Sequence, residues 1–310
     1  MSETPVGSGR RVGYRLLGRG FDYLLHLRPA EWPIVAAHTA VGAILAVGFR
    51  GVVSPELWPT LIVAIGAWVV GLNGGTLAIN SAFDRDEGDV AYLRRPPPPP
   101  PGLFLFGLCC MVFGLGLTWQ LPGPYRTVYL VCFAMSILYS VPPWRLKAVA
   151  GADWLINMVG FGLLTPLAGW AATGAPVTPT GRLLLVGFLP LFAALYPLTQ
   201  LYQMEEDTRR GDQTLAIRLG IAKSLRVALV ATVLAFGCFG GAALQSGWTF
   251  AGADMLRWSG LAIAATAWAL VLVPWTARAA RMTPAEHQRG MHLALAAWAV
   301  TDLAIVLAWG

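Results

Sequence analysis

Residues 58–82 read WPTLIVAIGAWVVGLNGGTLAINSA, with no charged side chain anywhere in the run. An α-helix rises 1.5 Å per residue and the hydrocarbon core of a bilayer is about 30 Å thick, so about 20 such residues cross it. The next residues, Phe83-Asp84-Arg85-Asp86-Glu87, switch abruptly to charge and mark a membrane edge. Working outward, eight further apolar stretches recur at 33–49, 103–121, 125–142, 154–173, 183–202, 224–245, 256–276 and 290–309. The whole chain of 310 residues is 56% hydrophobic and only 12% charged, about half the charge of an average soluble domain. A water-soluble fold is excluded. So is a transmembrane β-barrel, whose strands would alternate apolar and polar residues. The expected fold is an all-α membrane protein of nine transmembrane helices spanning 33–310, preceded by an N-terminal arm over 1–32.

The net charge of +6 comes from 22 Lys+Arg against 16 Asp+Glu. In this setting it reports membrane orientation and not nucleic-acid binding. With the N-terminus in the cytoplasm, 18 basic residues fall inside, and Arg50, Arg126, Arg182 and Arg257 fall outside. Basic loops are retained on the cytoplasmic side, so this partition predicts an integral protein of the cell's inner (plasma) membrane with a cytoplasmic N-terminus. The arm is polar and arginine-rich, without the pattern of a cleavable signal peptide. Within it Leu17, Phe21, Leu24 and Leu25 recur at helical spacing beside Arg15 and Arg19, the pattern of an interfacial helix. Pro96 to Pro101 lack backbone N–H donors and should form a stiff extended strut. The four cysteines, Cys109, Cys110, Cys132 and Cys238, sit inside apolar runs and read as small buried hydrophobes.

Acidic residues concentrate in two clusters at the ends of the second and sixth spans. One contains Asn80, Asp84, Asp86, Glu87 and Asp89; the other contains Gln203, Glu205, Glu206, Asp207 and Asp212. The clusters are four spans apart, so two pseudo-repeated halves would set them face to face. Asn80 and Asp84 share one helix face, with Glu87 a turn further on, and Gln203 and Asp207 repeat the spacing. Such ladders of hard oxygen donors suit Mg²⁺ ions that also hold a diphosphate. A diphosphate needs cationic partners as well, and Arg85, Arg94, Arg95, Lys147, Arg209 and Arg210 lie on the same side.

The run from Asn80 through Asp84-Arg85 to Arg95-Pro96 resembles the first aspartate-rich motif of the UbiA superfamily of intramembrane prenyltransferases. Tyr139-Ser-Val-Pro-Pro-Trp-Arg-Leu-Lys147 resembles that family's Tyr-Ser-x-Pro-Pro-x-x-x-Lys loop. Glu205-Glu206-Asp207, Gly211 and Thr214-Leu-Ala-Ile-Arg-Leu-Gly220 resemble its second motif and the segment after it. The resemblance implies a helical bundle around a central cavity. There, Mg²⁺ would hold an isoprenyl diphosphate whose allyl group passes to a lipophilic acceptor drawn from the membrane lipid. It further implies that Asn80, Asp84 and Asp207 are metal ligands, that Arg85, Arg95, Tyr139 and Lys147 contact diphosphate, and that Arg28 faces the cavity. Asp84, Asp207 and Lys147 are then the expected catalytic groups. Glu87 and Gln203 join the metal set, and Asn157, Arg209 and Arg210 join the substrate contacts. The sequence departs from the family pattern at Gly88, where the last aspartate of the first motif would fall, and at Gln203 and Thr208 in the second. A terpene cyclase, or a non-catalytic lipid-binding subunit of a second homologue, is the alternative on the same fold.

Three further polar positions stand out. Asp153 and Asn157 open the fifth span at i, i+4 and would line the cavity. Asp302 lies deep in the last span, where a carboxylate is costly enough to be a functional candidate. His38 reads as a packed helix residue.

Overall fold

The computed structural model describes residues 8–84, 93 and 95–310. Two short helices form the arm, α1 (Ser8–Leu17) and α2 (Gly20–His26). Among the described residues eight helices are long and apolar enough to cross a membrane: α3 (Trp32–Val52), α4 (Trp58–Asp84), α5 (Leu103–Gln120), α7 (Ala152–Ala172), α8 (Pro179–Gln200), α10 (Leu215–Gln245), α11 (Asp254–Arg281) and α12 (Pro284–Trp309). The protein is therefore an integral membrane protein. Between α5 and α7 runs α6 (Gly123–Ser140), less apolar than the others because it carries Arg126 and three tyrosines. Its polarity is spent inside the bundle. Tyr125 donates to the Ala64 carbonyl at 2.7 Å and Tyr129 to the Met111 carbonyl at 2.8 Å, and both rings are fully buried. A short helix α9 (Met204–Arg210) follows α8 on the loop side.

Most spans begin and end close to where hydropathy placed them; α11 runs on to Arg281, α12 starts early at Pro284, and a third difference is instructive. The seventh stretch was expected from 224, yet α10 begins at Leu215, capped by the Thr214 hydroxyl. At Gly220 the backbone turns left-handed, with φ 71° and ψ 169°, so the first turn breaks away from the axis of the span. Glycine is the residue that adopts this region without steric cost.

Two hydrophobic cores divide the molecule. One joins α3, α4, α6 and the second half of α7, around Trp68, Leu72, Tyr125 and Tyr129. The other joins α8, α10, α11 and α12, around Phe188, Phe239, Trp268 and Trp275. Close helix approach within the first core depends on small residues, as expected where lipid offers no hydrophobic drive to bring helices together. A Cβ on Gly42 of α3 would collide with the Pro166 carbonyl, and one on Gly169 of α7 with the Thr39 carbonyl. Two stretches wind wider than an α-helix, Ala67–Gly74 within α4 and Met158–Leu164 within α7. The Trp68 indole N–H in the first of them donates at 3.3 Å to the hydroxyl of Thr165, the residue that follows the second.

Candidate functional site

Between the two cores lies a cavity of about 380 Å³, lined by α3, α4, α6 and α7 and, from the other half, by α8, α9 and α12. One end is polar. Asn80 and Asp84 reach it from the end of α4, Lys147 from the loop after α6, Gln203 and Asp207 from the start of α9, and Arg28 from the turn before α3. The remainder is apolar and aromatic. Phe161 stacks on Phe192 with ring centroids 5.2 Å apart, and Phe192 meets Trp298 edge-on at 5.5 Å.

The loop after α6 carries cations into this polar end. Lys147, nearly buried, forms an ion pair with Asp84 and donates to Asn80 Oδ1 at 2.9 Å. Arg145 bonds Asp212 at 2.8 Å and Asp84 at 3.4 Å. Arg145 adopts φ 36°, a left-handed conformation uncommon for a residue with a side chain, which turns the guanidinium back toward the acids. The loop is pinned from the far side, because Gln213 donates its backbone N–H to the Ala148 carbonyl at 3.1 Å. That bond sets the segment after Lys147 alongside the segment after α9.

Arg28 is also left-handed, at φ 50°, and its side chain is almost completely buried. Among the described residues its one ionic contact is with Glu31 at 3.7 Å. The guanidinium Nε and one terminal nitrogen have no hydrogen-bond partner among the described residues. A buried cation with unmet donors at a cavity mouth is arranged for an anion. Burial pushes the Glu31 carboxyl above the usual carboxylate range, and Arg28 beside it pulls only partly the other way.

A second polar layer holds the loops together. The fully buried Asp153 accepts from the backbone N–H of Gly151 at 2.8 Å and of Leu215 at 3.0 Å, tying the start of α7 to the start of α10. Gln200 bridges Asp153 and Tyr196, and the Tyr196 hydroxyl meets that of Tyr139 at 2.9 Å. Tyr139 and Asn157 both line the cavity, and Asn157 donates to the Asp153 carbonyl at 2.8 Å.

The structure thus brings together Asn80, Asp84, Lys147, Tyr139, Asn157, Gln203, Asp207 and Arg28 around one cavity. It does not bring Arg95 or Arg209 there. Arg95 is exposed, and Arg209 follows Asp207 by two residues on a short helix, which turns it to the opposite, exposed face. Arg85, Glu87 and Arg94, and the side chain of Arg210, lie outside the described residues. Arg145 is a contact that sequence reasoning missed as a site residue; its sole signal was its place inside the Tyr139–Lys147 motif.

Asn80, Asp84, Gln203 and Asp207 present carboxylate and amide oxygens, the donor chemistry Mg²⁺ takes. Among the described residues no three His, Cys, Asp or Glu side chains gather as a ready-made metal cage. Asp84 pairs with Lys147 and Arg145, and Asn80 accepts from Lys147.

The model of the UbiA prenyltransferase family matches residues 35–300, and the chain belongs to that family. Solved structures share its fold at low identity. A UbiA homologue from Archaeoglobus fulgidus bound to GPP and Mg²⁺ is 17% identical, with 90% of this chain and 99% of that one covered and a TM-score of 0.64. A structure reported for digeranylgeranylglyceryl phosphate synthase is 15% identical over 93% of this chain and 97% of that one, with a TM-score of 0.66. An apo UbiA homologue from Aeropyrum pernix K1 is 17% identical over 90% and 98%, with a TM-score of 0.63. No curated protein matches the sequence significantly.

Proposed function

We propose that this protein transfers an isoprenyl group from an isoprenyl diphosphate to a lipophilic acceptor within the membrane, with its polar cavity end on the cytoplasmic side. The observation that carries the reading is the division of one cavity into a charged end and an apolar, aromatic body. An amphiphile with an anionic head and a hydrocarbon tail is the ligand such a division fits. The homologue bound to GPP and Mg²⁺ supports the same class of substrate and metal.

Asn80 and Asp84 on one side, with Gln203 and Asp207 on the other, would hold Mg²⁺ against the diphosphate. The metal, when bound, supplies positive charge that stabilises the departing diphosphate. Lys147 and Arg28 would meet the same developing charge with fixed cations in a site of low dielectric, where such groups act most strongly. Tyr139 would donate its hydroxyl to a diphosphate oxygen. Phe161, Phe192 and Trp298 would exclude water from the allylic carbon and face it with their π-electrons.

The test is direct. Purified protein given Mg²⁺ and allylic diphosphates of increasing length should release pyrophosphate, and Asp84→Ala or Asp207→Ala should lower the rate by at least a hundredfold. Wild-type protein that neither binds nor consumes any of these diphosphates would overturn the proposal. Release that needs no acceptor would favour cyclisation over transfer.

A further inference from the structure

A second polar station lies deeper in the cavity. His38 lines the cavity wall from α3 and is 5% exposed, and its Nδ1 lies 3.1 Å from Asp302 Oδ2 on α12. Asp302 Oδ2 also accepts from the Trp298 indole N–H at 3.0 Å, so the carboxylate is held from two sides. With Asp302 as a carboxylate, which only accepts, a neutral imidazole carries its proton on Nδ1 and its lone pair on Nε2. That nitrogen is buried and has no partner among the described residues. Edge-on contacts with Phe188 and Trp298, at centroid distances of 5.0 and 4.9 Å, fix the ring.

Asn73 is the companion. It lines the same cavity from α4, it is 7% exposed, and its side-chain amide N–H group also has no partner among the described residues. The register of the helices sets the two at one depth. Gly42 abuts Pro166, and Trp68 bonds the neighbouring Thr165. His38 precedes Gly42 by one helical turn, and Asn73 follows Trp68 by about the same rise on the antiparallel α4. Asn80 lies seven residues beyond Asn73, about 10 Å nearer the charged end at 1.5 Å per residue.

We propose that His38 and Asn73 bind the polar group of the acceptor, an O–H donor beside an oxygen acceptor on an otherwise apolar ring, and that His38 is its general base. This inference rests on the prenyl-transfer reading above. In the reaction the acceptor hydroxyl gives its proton to His38 Nε2, and the electron pair released drives a ring carbon to bond the allylic C1. The C1–O bond breaks, and its electron pair leaves with the diphosphate. Asp302 is a positioning residue that holds the ring and stabilises the imidazolium. A carboxylate and an imidazole are expensive inside a membrane span even when paired, and a proton-accepting role accounts for both.

The experiment compares 2-naphthol with 2-methoxynaphthalene, the same ring without the O–H, titrated against protein in lipid nanodiscs with a non-hydrolysable geranyl thiodiphosphate present. Wild-type protein should bind the naphthol about fivefold more tightly than the ether, as one hydrogen bond to a buried acceptor provides. In His38→Ala the preference should vanish, and free imidazole, which fits the vacated space, should restore it. Asp302→Asn should weaken the preference while leaving thiodiphosphate binding intact. His38→Met, of similar volume and without a comparable acceptor, makes the same comparison should the alanine variant not fold. Equal binding of the two probes by wild type, or a preference that survives removal of the imidazole, would overturn the proposal. Loss of thiodiphosphate binding by wild type would instead sink the transferase reading and leave the naphthol preference to be scored separately.

Discussion

Lys147 has two jobs that separate at the level of one side chain. It neutralises Asp84 and satisfies Asn80; with substrate it would turn to the diphosphate. Removing one partner of a buried ion pair costs about 3–5 kcal/mol where nothing else compensates, and here Arg145 remains on Asp84. Lys147→Met should therefore lower stability by about 2–3 kcal/mol in chelator, below that range because Arg145 still compensates Asp84. Added Mg²⁺ should recover part of the loss, whereas wild-type melting should change little on chelation. Thermal unfolding with and without EDTA reads both effects. Glu31 gives a pH-dependent counterpart. Its folded-state pKa is raised, so the stability it contributes is complete at acid pH and is lost as pH rises through the raised value. Glu31→Gln should then melt about 2 °C above wild type at pH 7.5, with the gap closing by pH 4.5. Much of the charged end was legible in the sequence, because Asn80, Asp84, Tyr139, Lys147 and Asp207 fall within motifs of fixed spacing. Arg145 was not, since a left-handed backbone at one residue aims it. His38 and Asp302 were read separately for a different reason: 264 positions divide them, and no local pattern joins them.

At the scale of elements, hydropathy located the spans because lipid imposes the same demand on every exposed face. It could not show how the helices wind. The wide turns at Ala67–Gly74 and Met158–Leu164 add only a fraction of a residue per turn, too little to alter an apolar pattern. Yet both line the cavity, through Trp68, Leu72 and Asn73 from one and Gly160 and Phe161 from the other. The glycines were legible as composition but not as contacts. Gly42 and Gly169 let α3 and α7 touch backbone to backbone, which holds His38 and Arg28 against the cavity. Gly42→Ala forces its methyl into the Pro166 carbonyl, with no flexible side chain to yield, and should cost about 2–3 kcal/mol. Gly116→Ala, in α5 with open space around it, should change stability by only a few tenths. Melting of the two variants in one detergent makes the comparison, and similar losses would mean that the α3–α7 approach is not limiting.

For the whole molecule, two separately packed halves enclose one cavity, and what the cavity can receive depends on which face its charged end meets. The basic residues predict that face to be cytoplasmic, since the loop with Arg145 and Lys147 and the start of α10 with Lys223 and Arg226 share the side on which the polar end opens. Glu56, between α3 and α4, and Lys223, just past the Gly220 break, are both exposed and belong to opposite ends of the bundle. Ser224, one residue further on, is fully buried and would report nothing. In a background with the four native cysteines replaced by alanine, a charged, membrane-impermeant thiol reagent added to intact cells should label Glu56→Cys at once. It should label Lys223→Cys only after the membrane is opened. The opposite order would turn the cavity outward, and a water-soluble diphosphate made in the cytoplasm could then no longer reach Lys147 and Arg28 without first crossing the bilayer.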